Sequence, residues 1–180
     1  MGTRGTVSFV ADNDLKTIFN QWDSYPSGLG LDVLHFIRMS KRYTRKLPKQ
    51  ISDLKNVPEY QVDKVSTEGW EAQLDDGHYI DSTNFPIYDS LFCEWSYVID
   101  ADTRTFEVYK GFQDEPHNDG RFAKIFNLQS AKVERSGRKI WYPVRLIQSW
   151  SFDDLPSDKE FLAWDEKRAR IEDEKYATNT

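Results

Sequence analysis

Asn20-Gln21-Trp22-Asp23-Ser24-Tyr25-Pro26-Ser27-Gly28-Leu29-Gly30 is the stretch where this 180-residue chain changes its apolar period. Upstream, Val7, Phe9 and Ala11 alternate on one face of a predicted strand, Gly5 to Ala11. Asp12-Asn13-Asp14 is turn chemistry, and Leu15 to Trp22 is the return strand, so the two predict an antiparallel hairpin. Downstream, Leu31, Val33, Leu34, Phe36 and Ile37 give the region from Leu29 to about Ser40 a wide apolar helical face. A hairpin feeding a buried helix through a polar turn is an α+β beginning.

Further along, Pro48 to Val57 predicts a short helix stopped by Pro58, and Glu59 to Ser90 predicts long loops with short strands or helical turns. Leu91 to Asp100 and Thr105 to Gly111 predict a second hairpin, turning at Ala101 to Arg104. Arg121 to Leu128 fits either a strand or a helical turn. Lys139 to Trp150 predicts a strand, and Pro143 marks an edge or a bulge. Ser157 and Glu160 form a capping box opening a last helix toward Lys175. Phe161, Leu162 and Trp164 are its docking residues, and the tail after about residue 175 frays. The expected architecture is one α+β domain over residues 1–180. Antiparallel sheets built from hairpins are covered by the early helix and the C-terminal helix.

With 14% aromatic residues, the core is expected to be built from large rings. The net charge of −6 argues against nucleic acid as a partner, because phosphate binding needs a basic surface. The cluster Lys41, Arg42, Arg45, Lys46 and Lys49 around Tyr43 is the local exception. It reads as a solvated helix end more readily than as a phosphate grip. A lone cysteine, Cys93, fits a reducing, cytoplasmic setting. No transmembrane segment and no signal-peptide core is expected. Met1-Gly2-Thr3-Arg4-Gly5-Thr6 matches an N-myristoylation pattern at Gly2, but its simpler reading is the lead into the first strand.

Among chemistry-bearing residues, Cys93 lies inside a predicted strand and reads as a small buried apolar residue rather than a nucleophile. His35 reads as a packed or interface residue. His78 beside Asp75 and Asp76, and His117 among Asp114, Glu115 and Asp119, are possible metal loops, although acidic turns are the commoner explanation. No cofactor is expected. The Asn20–Gly30 turn carries more chemistry than a turn needs. Pro26 holds Tyr25 extended, Gly28 and Gly30 permit close approach, and Asp23 and Ser24 stand where helix N–H groups begin. That combination suits an anion or a polar ligand. The structural alternative is a capped helix with Trp22 and Tyr25 roofing the core.

The Met1–Gly5 start together with the Trp22-Asp23-Ser24-Tyr25-Pro26 turn resembles an uncharacterised family of small proteins from bacteria, viruses of microbes and some eukaryotes. Its mark is an MGTRG-like start and a W/F-D-[GS]-Y-P turn. The hairpin from Tyr97 to Tyr109 is also similar. Many members carry His where this chain has Gln21, and the family brings no assigned activity. A fold-level similarity to N-terminal nucleophile hydrolases is weaker. It implies a nucleophile at the mature N-terminus, and only Thr3, after removal of Met1 and Gly2, provides one.

The resulting expectation is a non-enzymatic domain that binds a small ligand or a protein partner. Its site is formed by Arg4, Asn20, Asp23, Ser24 and Tyr25, with Arg4 and Asp23 meeting in an open pocket. The alternative is an amidohydrolase using Thr3.

Overall fold

The computed structural model describes residues 2–40, 46–129 and 141–178. The first hairpin pairs β1 (Gly5–Ala11) with β2 (Asp14–Asn20). Asp12 and Asn13 make its two-residue turn with φ of 53° and 59°, the left-handed pair that matches strand twist in a tight hairpin. The second hairpin pairs β5 (Trp95–Asp100) with β6 (Thr105–Lys110). Before it, the N–H groups of Phe92 and Cys93 both bond back to Asp89 O, so residues 91–94 form a turn and the strand starts at Trp95 rather than Leu91. Cys93 therefore lies outside the strand, though still buried.

The five-stranded sheet has the order β2-β1-β5-β6-β7, where β7 is Arg145–Ser151. Three of its pairings are antiparallel. The fourth, β1 with β5, is parallel and joins the two hairpins at the centre, with Gly5 opposite Trp95 and Val10 opposite Asp100. A parallel pair needs a long crossover, and residues 21–94 supply it. β7 is an edge strand with a bulge opposite Val108 and Tyr109, in keeping with Pro143 just ahead of it. Residues 139 and 140 of its expected start lie outside the described residues, as do positions 41–45 of the basic cluster.

Both faces of the sheet are covered, because every residue of β1 is buried. Val7, Phe9 and Ala11 face the larger core. There they meet Val33, Leu34 and Ile37 of α1 (Leu31–Ser40), Leu47 and Ile51 of α2 (Leu47–Asp53), Trp70 and Leu74 of α3 (Trp70–Asp76), and Phe161 of α6 (Asp158–Thr178). On the other face Val10, Val98 and Tyr109 meet Ile87 of α4 (Asn84–Tyr88) and Phe122 of α5 (Arg121–Gln129). Buried hydroxyls on this face satisfy one another: Thr6 with Ser96 and Ser8 with Thr17, each at 2.8 Å. The α+β class is as the sequence predicts. The second covering layer and the parallel centre are additions to it, and Arg121–Gln129 resolves to helix. Short β3 (Lys55–Asn56) and β4 (His78–Tyr79) pair in the crossover.

The capping box forms as expected. Ser157 N–H donates to Glu160 at 2.7 Å, and Glu160 N–H donates to the Ser157 hydroxyl at 3.2 Å. No helix among the described residues is long and apolar enough to cross a membrane.

Candidate functional site: the acidic aromatic cleft

Between β2 and α1 the chain makes one wide turn, Pro26–Gly30. Asp23 enters it with φ of 51°. Its carbonyl accepts the Leu29 N–H at 2.9 Å, while Tyr25 O accepts from Gly28 and Gly30. A Cβ on Gly28 would lie 2.3 Å from Asp23 O, so only glycine lets the turn close this tightly. Beneath it, Ser24 is fully buried. Its N–H bonds Thr3 O at 3.1 Å, its carbonyl accepts the Tyr97 hydroxyl at 2.8 Å, and its Oγ accepts from Asn20 Nδ2 at 2.9 Å. Asn20 Nδ2 also donates to Trp22 O. Ser24 and Asn20 thus bolt the turn to the sheet, and Trp22 and Tyr25 are left facing solvent, 62% and 39% exposed.

This turn forms one wall of a cleft of about 640 Å³. Asp32, in the first turn of α1, extends that wall. The facing wall is Glu68, Gly69, Trp70, Glu71 and Ala72, where α3 begins. Trp70 is the buried back of the cleft, edge-on to Phe36 at 5.1 Å and 6.0 Å from Phe9. Four carboxylates line the space, those of Asp23, Asp32, Glu68 and Glu71. No Lys, Arg or His is among the described lining residues. The carboxyl of Glu71 is raised above its ordinary range, first by partial desolvation and then by the negative charges of Asp32 and Asp75. Tyr25 donates its hydroxyl to Asp23 Oδ1 at 3.2 Å, and that bond raises the phenol.

Of the expected site residues, Asn20, Asp23 and Tyr25 line the cleft and Ser24 supports it from below. Arg4 does not join them. Parallel pairing of β1 with β5 carries residue 4 to residue 94. Glu94 N–H bonds Arg4 O at 3.0 Å, and the Arg4 guanidinium lies 4.4 Å from the Phe92 ring centroid. The expected meeting of Arg4 and Asp23 is therefore replaced by an Arg4–Phe92 contact. Thr3 contributes its carbonyl to Ser24 and does not line the cleft. An anion also fits poorly, because the turn's own carbonyls consume its N–H groups and the cleft's charge is negative.

Glu68, Trp70, Glu71 and Asp32 were not legible as site residues. Glu68-Gly69-Trp70-Glu71 reads locally as loop punctuation, and only tertiary packing sets it opposite Asp23. Other candidates take structural roles. The Cys93 thiol is pushed up to about 12 by burial, with Thr6 at 3.6 Å, which leaves it protonated at neutral pH. His35 is exposed rather than packed and meets Asp158 at 2.9 Å. His78 bonds Asp76 O at 2.9 Å. His117 accepts the Asp119 N–H on Nδ1, so it is Nε2 that donates to Pro143 O. No group of three or more His, Cys, Asp or Glu side chains suited to a metal occurs among the described residues.

No family model, curated protein or solved structure matches this chain. The chemistry of the cleft has to carry the functional reading.

Proposed function

We propose that this chain is a non-enzymatic binding domain that takes an organic cation in the cleft walled by the Asn20–Gly30 turn. The cation is an alkylammonium or guanidinium group, free or on a partner protein. One observation carries the reading: three aromatic residues and four carboxylates share the cleft lining, with no basic side chain among them. Ring faces and carboxylates both attract cations, and partial burial strengthens both attractions. The family resemblance supports it, because Trp22, Asp23 and Tyr25 of the characteristic turn all line the cleft. A cytoplasmic setting belongs to the same reading, supported by the single buried thiol.

The test is a calorimetric titration with arginine methyl ester and with tetramethylammonium, followed in parallel by tryptophan fluorescence. Binding is expected to weaken by roughly tenfold in Asp23→Asn and in Trp22→Ala, the loss of about 1.4 kcal/mol. Because a bound cation favours ionised Glu71, affinity is expected to rise with pH through that carboxyl's raised range and then level off. Binding of a neutral ester of equal size as tightly as the cation would overturn the proposal. So would unchanged affinity in both variants.

A further inference from the structure

At the opposite end of β6 from its hairpin turn, Lys110 closes the strand on the face covered by α6. It stands opposite Trp95 in one direction and Arg145 in the other. Its Nζ lies 4.2 Å from the Trp95 ring centroid. Arg168 of α6 sits over the same ring at 4.9 Å. Arg168 is paired with Asp165 at 2.6 Å and with Glu172 at 2.7 Å, so the nearest acids of α6 are already engaged. Lys110 Nζ makes no hydrogen bond and no ion pair among the described residues. It also lines a cavity of about 780 Å³, together with Phe112, Gln113, Arg145, Ile147, Lys175 and Tyr176 among others. A half-buried amine with no partner, opening onto a cavity large enough for a small molecule, is an uncommon arrangement. Lysines held away from water are normally paired or snorkel outward.

We propose that Lys110 is a carbonyl-reactive amine, and that this second cavity holds a small aldehyde or 2-oxo acid as a reversible imine on its Nζ. The step is balanced within water. The neutral amine's lone pair adds to the carbonyl carbon, and the C=O π pair moves to oxygen. A proton passes from nitrogen to that oxygen through solvent, giving a carbinolamine. The nitrogen lone pair then expels the oxygen, once it is protonated again, as water, and loss of the remaining N–H proton leaves the imine. The basic side chains of Arg145 and Lys175 on the cavity wall favour a carbonyl compound that also bears a carboxylate. The charge balance around the amine is consistent with this. Burial lowers the Lys110 ammonium first, and Arg168 lowers it further, against raising effects from Glu172, Asp165 and Glu94. The Trp95 face attracts the ammonium, but it divides that attraction between two cations.

The probe is glyoxylate, trapped with cyanoborohydride on the full chain and mapped by peptide mass spectrometry. Lys110 is expected to be the first lysine modified at neutral pH, by at least about tenfold over the exposed Lys159 and Lys167, and its labelling is expected to saturate with glyoxylate. Its pH profile should rise at lower pH than theirs. Lys110→Arg is expected to remove the fast phase and leave the slow surface background. The map on the unaltered chain needs no variant, so misfolding of K110R does not obscure it. Labelling of Lys110 at or below the rate of Lys159 and Lys167, or a pH profile that coincides with theirs, would overturn the proposal. The site is separate from the acidic cleft, so the two proposals stand or fall independently.

Discussion

Arg121 is the residue on which two parts of the molecule depend. Its guanidinium reaches Asp100 at the end of β5 at 2.6 Å and Glu107 in β6 at 2.7 Å, and its backbone N–H donates to the Tyr109 hydroxyl at 3.3 Å. The Asp100 side chain is almost fully buried. Burial alone would raise its carboxyl. Hydrogen bonds from the Thr103 N–H and from Arg121 outweigh that and hold it below the ordinary carboxylate range. Removing the cation as Arg121→Met leaves two acids without it and is expected to cost roughly 3–5 kcal/mol at neutral pH, read from urea midpoints. The sign with pH follows. A depressed carboxyl contributes stability that is present above the unfolded pKa of about 3.9 and is lost as pH falls through the lower folded value. The gap between wild type and variant is therefore expected to narrow below about pH 4. A gap constant down to about pH 2 would show that Arg121 acts by packing alone. Asp100 and the turn after it can be read in the sequence. Its partner, 21 positions away, cannot, because nothing local distinguishes Arg121 from any other helix-start arginine.

At the scale of elements, the short helix α2 is held from outside itself. Lys16, a buried residue of β2, sends its Nζ to the carbonyls of Ile51, Ser52 and Leu54 at 2.8, 2.9 and 2.7 Å. These are orphan acceptors at a helix C-terminus, where a cation is doubly favoured by hydrogen bonding and by the helix dipole. Lys16→Met keeps the aliphatic stem and deletes the donor. It is expected to lower stability by about 2 kcal/mol, measured by chemical denaturation, with the m-value unchanged. An unchanged midpoint would mean that water replaces the amine without cost. Elements whose ends carry their own signals were readable: the Asp12-Asn13 turn and the Ser157–Glu160 box both form where local chemistry places them. The end of α2 was read less closely, because its cap comes from a strand 35 residues earlier. The strand expected from Leu91 failed similarly. Leu91-Phe92-Cys93 has strand-like composition, but Asp89 O captures the N–H groups that a ladder would need.

At the scale of the whole molecule, β1 and β5 are the centre of the sheet, and every residue of both is buried. α6 differs: Phe161 is its one buried side chain among the described residues, and beyond it the helix is largely exposed. Native-state hydrogen exchange is therefore expected to be slowest in β1 and β5 and fast in α6 beyond about residue 170. Protection of that distal segment equal to β1 would instead reveal a further surface packed on it. Local periodicity and turn chemistry determined the two hairpins, the early helix, the capped last helix and the α+β class, because each rests on contacts within a few residues. They also marked Trp22, Asp23 and Tyr25 as more than a turn requires. Only the tertiary structure decided that the hairpins join through a parallel pair. That pairing draws Arg4 away to Phe92, and the crossover it requires carries Glu68, Trp70 and Glu71 to face the turn. The sign of the cleft's charge thus depends on which distant residues the crossover delivers, and no spacing along the chain encodes that.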